Sequence, residues 1–180
     1  MLTDSIVSAE TLSCNIAGPT WSNTSPPVDR GHIFCGKINS KGHATGYHHR
    51  EGGVDPNRVH VRSITEMNSK TGVYVSQFVS VHNGDDWVLK RNKSSFFPDT
   101  CNTDQVVRSI AYAASHIECL YPTGKWSGMS SPPFDSGQYC RGVNDQPLVI
   151  NGYWQSPSAE KVATAWPLVD GNNSKACLKQ

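Results

Sequence analysis

Apolar and polar residues along this chain fall in short runs bounded by Gly, Asn, Asp or Pro, and β-branched and aromatic residues recur within them. This is the pattern of strands joined by turns. From Gly31 onward the runs that fit are 32–38, 59–64, 73–81, 87–91, 148–154 and 162–169. One segment has a different period. Over 103–118, Val106, Ile110, Ala113, Ala114 and Ile117 recur at spacings of three and four, which predicts an amphipathic helix. Asn102 stands at the N-cap position, and Gln105 three residues later completes a capping-box-like start. A second, less regular helix is predicted over 5–13. Between 123 and 144 the chain is rich in Gly, Ser and Pro, which predicts a long surface loop.

A chain of 180 residues is long enough for one domain with a real core. The stretch 22–30 (SNTSPPVDR) carries paired prolines, which block helix and favour extended chain. The expected division is therefore a leader or linker over 1–30 and a main domain over 31–180. With 37% hydrophobic and 17% charged residues, 15 Gly and 11 Pro, the composition suits a turn-rich globular fold rather than a coiled coil or a disordered tail. No apolar run approaches the roughly 20 residues that span a bilayer, so no membrane partner is expected. The opening MLTDSIVSAETLSCNIAG shows neither a basic start nor an apolar core. The chain is expected either to remain where it is made or to be a piece of a larger secreted protein. Six cysteines with no CxxC pair match no zinc spacing. If all six pair, there are 15 connectivities, and the sequence does not choose among them.

Net charge is only +1, so composition alone does not suggest a polyanionic ligand. The charge is nevertheless uneven. Lys37, Lys41, His43, His48, His49 and Arg50 crowd one segment, and Lys90, Arg91 and Lys93 form a second basic knot. The first lies in 31–53, GHIFCGKINSKGHATGYHHREGG, which holds four of the 7 histidines. Two facing imidazoles can remove a proton with one ring and deliver one with the other near neutral pH. RNA transesterification needs that pair, together with a fixed cation for the charge that builds on phosphorus.

The ordered set GHIFCG, ATGYHH, KSSFFPD and TAWP resembles the bacterial branch of the EndoU endoribonucleases, over about residues 30–170. The resemblance implies an α+β fold, a compact domain with helices and two antiparallel β regions around a central groove. One region would hold the histidines, the other the lysine and the base-binding element. It places the catalytic histidines on His32 and His48 and the lysine on Lys93. Near the C-terminus it assigns base contact to Thr164 and stacking to Trp166, where the family has Tyr. It implies cleavage of single-stranded RNA at uridines, leaving 2′,3′-cyclic phosphate and 5′-hydroxyl ends. No cofactor is required by this chemistry, and stimulation by a divalent metal such as Mn is compatible with it. Some members are toxin domains, which implies a dedicated immunity or inhibitor protein as partner and either secretion or delivery into a target cell.

Plainer readings stand beside these. His32 could be a strand histidine bonded to backbone. Adjacent residues of extended chain face opposite ways, so one of His48 and His49 lines a site and the other is solvent-facing or supporting. His43 is expected in an exposed turn, and His60, His82 and His116 fall outside every motif. Lys90 rivals Lys93, since strand register decides which reaches the groove. Ser95 either bonds a phosphate or ends a strand. Two other function classes are a metal-dependent nuclease using the paired histidines and a non-catalytic secreted module binding through Trp21, Trp126 and Trp154.

Overall fold

The computed structural model describes Cys14, residues 20–135 and 137–171, and Cys177. The helix predicted over 5–13 lies outside the described residues. In chain order the elements are α1 (Arg30–Cys35), β1 (Lys37–Ile38), β2 (Ala44–Thr45), a 3-10 turn at Glu51–Gly53, β3 (Val59–Val61), β4 (Glu66–Met67), β5 (Tyr74–Ser76) and β6 (Val79–His82). There follow β7 (Trp87–Leu89), β8 (Ser94–Phe96), α2 (Thr103–Ser115), β9 (Ile117–Leu120), β10 (Trp126–Met129), β11 (Val149–Trp154) and β12 (Val162–Pro167). The fold is α+β, and these strands pair antiparallel: β1 with β2, then sheets ordered β12-β11-β10-β9, β3-β6-β7 and β4-β5-β8.

Two apolar cores divide the domain. The larger packs α1 and α2 on the four-stranded sheet through Ile33, Phe34, Val106, Ile110, Trp126 and Ile150. The smaller joins the other sheets through Tyr47, Val59, Val61, Tyr74, Val79 and Phe96. Val28, fully buried, belongs to the larger core and bridges to Val162, and the Asp29 amide bonds the Val162 carbonyl at 3.0 Å. All six cysteines pair, as Cys14–Cys35, Cys101–Cys140 and Cys119–Cys177. Among the described residues no helix is long and apolar enough to cross a membrane.

Several expectations are corrected. The run 32–38 is not a strand: its first part is the end of α1, and only Lys37–Ile38 is extended. Asp29 caps that helix, its side chain accepting the His32 amide at 3.1 Å. The run 73–81 is two strands in two sheets, because Ser76 Oγ accepts the Phe78 amide at 3.0 Å and turns the chain between them. The stretch 59–64 is strand only to Val61, and 87–91 only to Leu89. The helix over 103–118 ends at Ser115, and Ile117 already pairs with β10. Its N-terminal capping box forms as the sequence implies.

The largest correction concerns 123–144. It contains β10, which lies inside the four-stranded sheet, with Trp126 fully buried. Composition misleads here because glycine is used for packing. A Cβ on Gly152, the partner of Trp126, would come within 2.1 Å of the indole. Gly152→Ala is therefore expected to displace Trp126 and lower stability by roughly 1–3 kcal/mol. Chemical denaturation checks this, and an unchanged midpoint would contradict the packing described.

Candidate active site

The site begins with the shortness of α1. A helix of six residues has carbonyls at its end that need partners from elsewhere. His32 O accepts the Tyr47 amide at 2.8 Å, and Ile33 O accepts the His48 amide at 2.7 Å. Gly46 makes the approach possible: its φ is 74°, and a Cβ there would lie 2.3 Å from His32 O. Tyr47 is also left-handed, at φ 64°, which is uncommon for a side chain of this size. Its hydroxyl donates to Asp55 Oδ1 at 2.8 Å, where Arg50 Nε also donates at 2.6 Å. His48 is then fixed from the other side. Its carbonyl accepts the Phe97 amide at 2.9 Å, and its Nδ1 meets Ser95 O at 2.9 Å.

These bonds bring the two imidazoles face to face, centroids 6.2 Å apart and planes 25° from parallel. They open on a groove of about 560 Å³. All six residues expected at the site, His32, His48, Lys93, Ser95, Thr164 and Trp166, line it. The Trp166 indole lies 6.1 Å from the His48 ring and Tyr153 lies 5.9 Å from Trp166. Thr164 pairs with Tyr153 across β11 and β12, so hydroxyl, phenol and indole share one wall. Trp166 is half-buried and turned to the groove rather than packed in the core.

The expected partition of the groove is corrected. The lysines come from the β7–β8 turn, on the same side as His48, and only the Thr164 and Trp166 element comes from the four-stranded sheet. Lys93 is exposed at the rim. Lys90 is buried, donating to Gly46 O at 2.8 Å and to Ser94 Oγ. The Ser95 hydroxyl donates to Pro167 O, tying β8 to β12.

His49 is neither solvent-facing nor at the groove. It is buried, edge-on to Phe34 at 5.7 Å and to Phe97 at 6.5 Å. The paired histidines thus point to opposite sides and do not share a ligand position. Sequence reasoning missed Tyr153, Asn39, Arg91 and Asn92 as lining residues, and His43 reaches the groove from the β1–β2 hairpin, half-buried rather than exposed. The available signal was Tyr153 itself, opposite Thr164 in any hairpin that pairs the last two strands. Trp126, offered as an exposed binding aromatic, is in the core.

Desolvation sets the electrostatics. His32 keeps part of its surface in the groove, yet burial by the dense chain around it pushes it down to about 4, against the favourable charge of Asp29. Burial also pulls His48 well below its ordinary value, and Lys90 and His32 pull it further. Lys90 is pushed down to about 8 by burial. Burial thus favours the neutral form of both imidazoles.

Two stacked imidazoles and a buried ammonium facing a hydroxyl and an indole make the groove of a phosphodiester-cleaving enzyme. The comparison with protein families agrees: residues 28–146 match the family described as bacterial EndoU nuclease, and the chain belongs to that family. No curated protein and no solved structure gave a match.

Burial of neutral imidazole has a consequence for stability. His49, pushed from 6.5 down to about 4 by burial, binds fewer protons in the folded chain than in the unfolded one between those two values. Its contribution is complete above pH 6.5 and is lost as pH falls toward 4, by about 3 kcal/mol for this one group. Thermal midpoints should fall steeply across that window, and His49→Leu should flatten the slope. An unaltered slope in the variant would show that His49 is not held neutral.

Proposed function

We propose that the chain is an endoribonuclease that cleaves single-stranded RNA by attack of the ribose 2′-hydroxyl on the adjacent phosphorus. The observation that carries this reading is the pair of imidazoles 6.2 Å apart with Lys90 buried beside them. A phosphodiester held between the rings has a base on one side and an acid on the other.

The hydrogen bonds suggest which is which. His48 donates Nδ1–H to the Ser95 carbonyl, which leaves its Nε2 lone pair for the 2′-hydroxyl proton. His32 lies in the field of Asp29, which favours its protonated form, so it suits the acid that protonates the departing 5′-oxygen. The products are a 2′,3′-cyclic phosphate and a 5′-hydroxyl. Lys90 takes the charge-stabilising role assigned from sequence to Lys93, because its ammonium is held at the Gly46 carbonyl, where its charge reaches both imidazoles. Lys93, at the rim, meets a flanking phosphate. On the opposite wall Thr164 reads the base and Trp166 stacks on it, which supports a preference for uridine.

No step of this chemistry is routed through a metal or other cofactor. His49, turned into the core, leaves the metal-dependent reading without its paired ligands. Three disulfides support an oxidising destination outside the cell, and release of such an enzyme as a toxin calls for an inhibitor protein in the producer.

RNA incubated with the protein in excess chelator should yield cyclic-phosphate ends; cleavage abolished by chelator would overturn the mechanism. His32→Ala and His48→Ala should each lose roughly 10²–10⁴ in rate with the fold intact. Lys90→Ala should lower kcat by roughly 10²–10³, and Lys93→Ala should mainly raise KM. For the wild type, kcat/KM should fall as pH rises through about 8, where Lys90 loses its proton. Reversed effects of the two lysine variants would return the role to Lys93.

Base choice has its own test. Thr164→Val should relax uridine preference, and Trp166→Ala should weaken cleavage at all sites alike. Unchanged cleavage patterns and rates in both would remove this wall from the site.

A further inference from the structure

The sheet β3-β6-β7 has two unlike faces. Its register sets Val59, Val81 and Val88 in one row and Val61 and Val79 in the next, all packed on the smaller core. The other face carries His82 beside Trp87 in one row, then His60, Ser80 and Leu89 in a second. Arg62, whose amide bonds the Phe78 carbonyl at 2.9 Å, begins a third. Phe78, Trp87 and Leu89 are 43%, 51% and 57% exposed. Such a concentration of exposed apolar side chains on one face marks a binding surface rather than scatter.

Trp87 is held in place. The His82 ring meets it edge-on at 5.1 Å and the His60 ring at 6.4 Å, so the indole is braced yet half open. The carboxylates nearby do not occupy the face. Asp55, beside His60, is engaged by Arg50, Tyr47 and the Val61 amide, and Asp85 and Asp86 belong to the β6–β7 turn. The same edge strand runs on into the groove. Lys90 turns inward, and Arg91 reaches the groove lining directly after it. A strand leaving the groove at Arg91 thus meets Leu89 and then Trp87, about 7 Å further for each two residues.

We propose that this outer face is a second RNA-binding surface. Bases of the single strand that leaves the groove stack on Trp87 and Phe78, and Arg62 and Arg91 meet its phosphates. Exposed aromatics interleaved with arginines on a sheet are suited to single-stranded RNA, whose bases all present a π face. The inference rests on RNA being the substrate, as proposed above.

The test separates the two. Affinity is measured for a fully 2′-O-methylated single-stranded RNA 12-mer, which the chemistry cannot cleave, and cleavage is measured on a uridine dinucleotide and on a long RNA. Trp87→Ala and Phe78→Ala should each weaken 12-mer binding roughly tenfold and raise KM on long RNA, with dinucleotide cleavage unchanged. Arg62→Ala should lower the slope of binding against salt by about one. If no RNA is cleaved but the 12-mer still binds through Trp87, this surface stands and the nuclease reading falls. If the double variant Trp87→Ala/Phe78→Ala binds the 12-mer as well as wild type, the surface is not for RNA. Self-association of the wild type that Trp87→Ala abolishes, with RNA affinity unchanged, would likewise overturn the proposal in favour of a contact between copies.

Discussion

The groove depends on how one short helix is finished. The carbonyls of His32 and Ile33 would be left without partners in so brief a helix, and the amides of Tyr47 and His48 satisfy them. The same two bonds fix the segment that bears the second imidazole relative to the helix that bears the first. The separation of the two histidines follows from this backbone pairing, and the bond from His48 Nδ1 to the Ser95 carbonyl then sets the angle of its ring. Gly46 is part of this device, since any larger residue would push the chain off the His32 carbonyl. The left-handed Tyr47 that follows is kept there by the Asp55 and Arg50 bonds, which explains why a half-buried ion pair sits behind a site it does not touch.

Packing the chain this closely around the imidazoles has an electrostatic result. Neither ring keeps its usual affinity for a proton, and the lysine beside them loses part of its own. A neutral pair is ready to act as base but not as acid. In the chemistry proposed above, the negative charge of a phosphodiester lowers the cost of protonating His32 inside the groove.

Much of this was legible in the sequence, for identifiable reasons. The helix beginning at Asn102 announces itself through its capping box and its three-and-four spacing, and both survive in the fold. The four motifs bring His32, His48, Lys93, Ser95, Thr164 and Trp166 to one groove, as their order along the chain implies. What failed were decisions set by tertiary contact. His32–Ile38 reads as a strand by composition, but Asp29 captures the His32 amide and starts a helix. The stretch around Trp126 reads as loop because it is rich in Gly, Ser and Pro, yet Gly128 within it admits α2 against the sheet, and Gly152 on the neighbouring strand admits the indole. Lys90 and Lys93 differ by three positions on a turning strand end, and only the fold shows which ammonium reaches the Gly46 carbonyl.

The side of the groove that bears His48 and Lys90 must be held in register with the strand that bears Thr164 and Trp166. Ser95 does this. Its carbonyl accepts from His48 Nδ1, and its hydroxyl donates to the carbonyl of Pro167, the residue after Trp166. One residue thus fixes the orientation of the base and anchors the strand that carries the stacking indole. Its neighbours extend the seam in both directions, Phe97 N to His48 O on one side and Ser94 Oγ to Gly46 O on the other. The choice left open by sequence, between a phosphate contact and a strand end, resolves into a third role. The hydroxyl is committed to the opposite wall, and the placing of the Trp166 indole 6.1 Å from the His48 ring follows from that commitment.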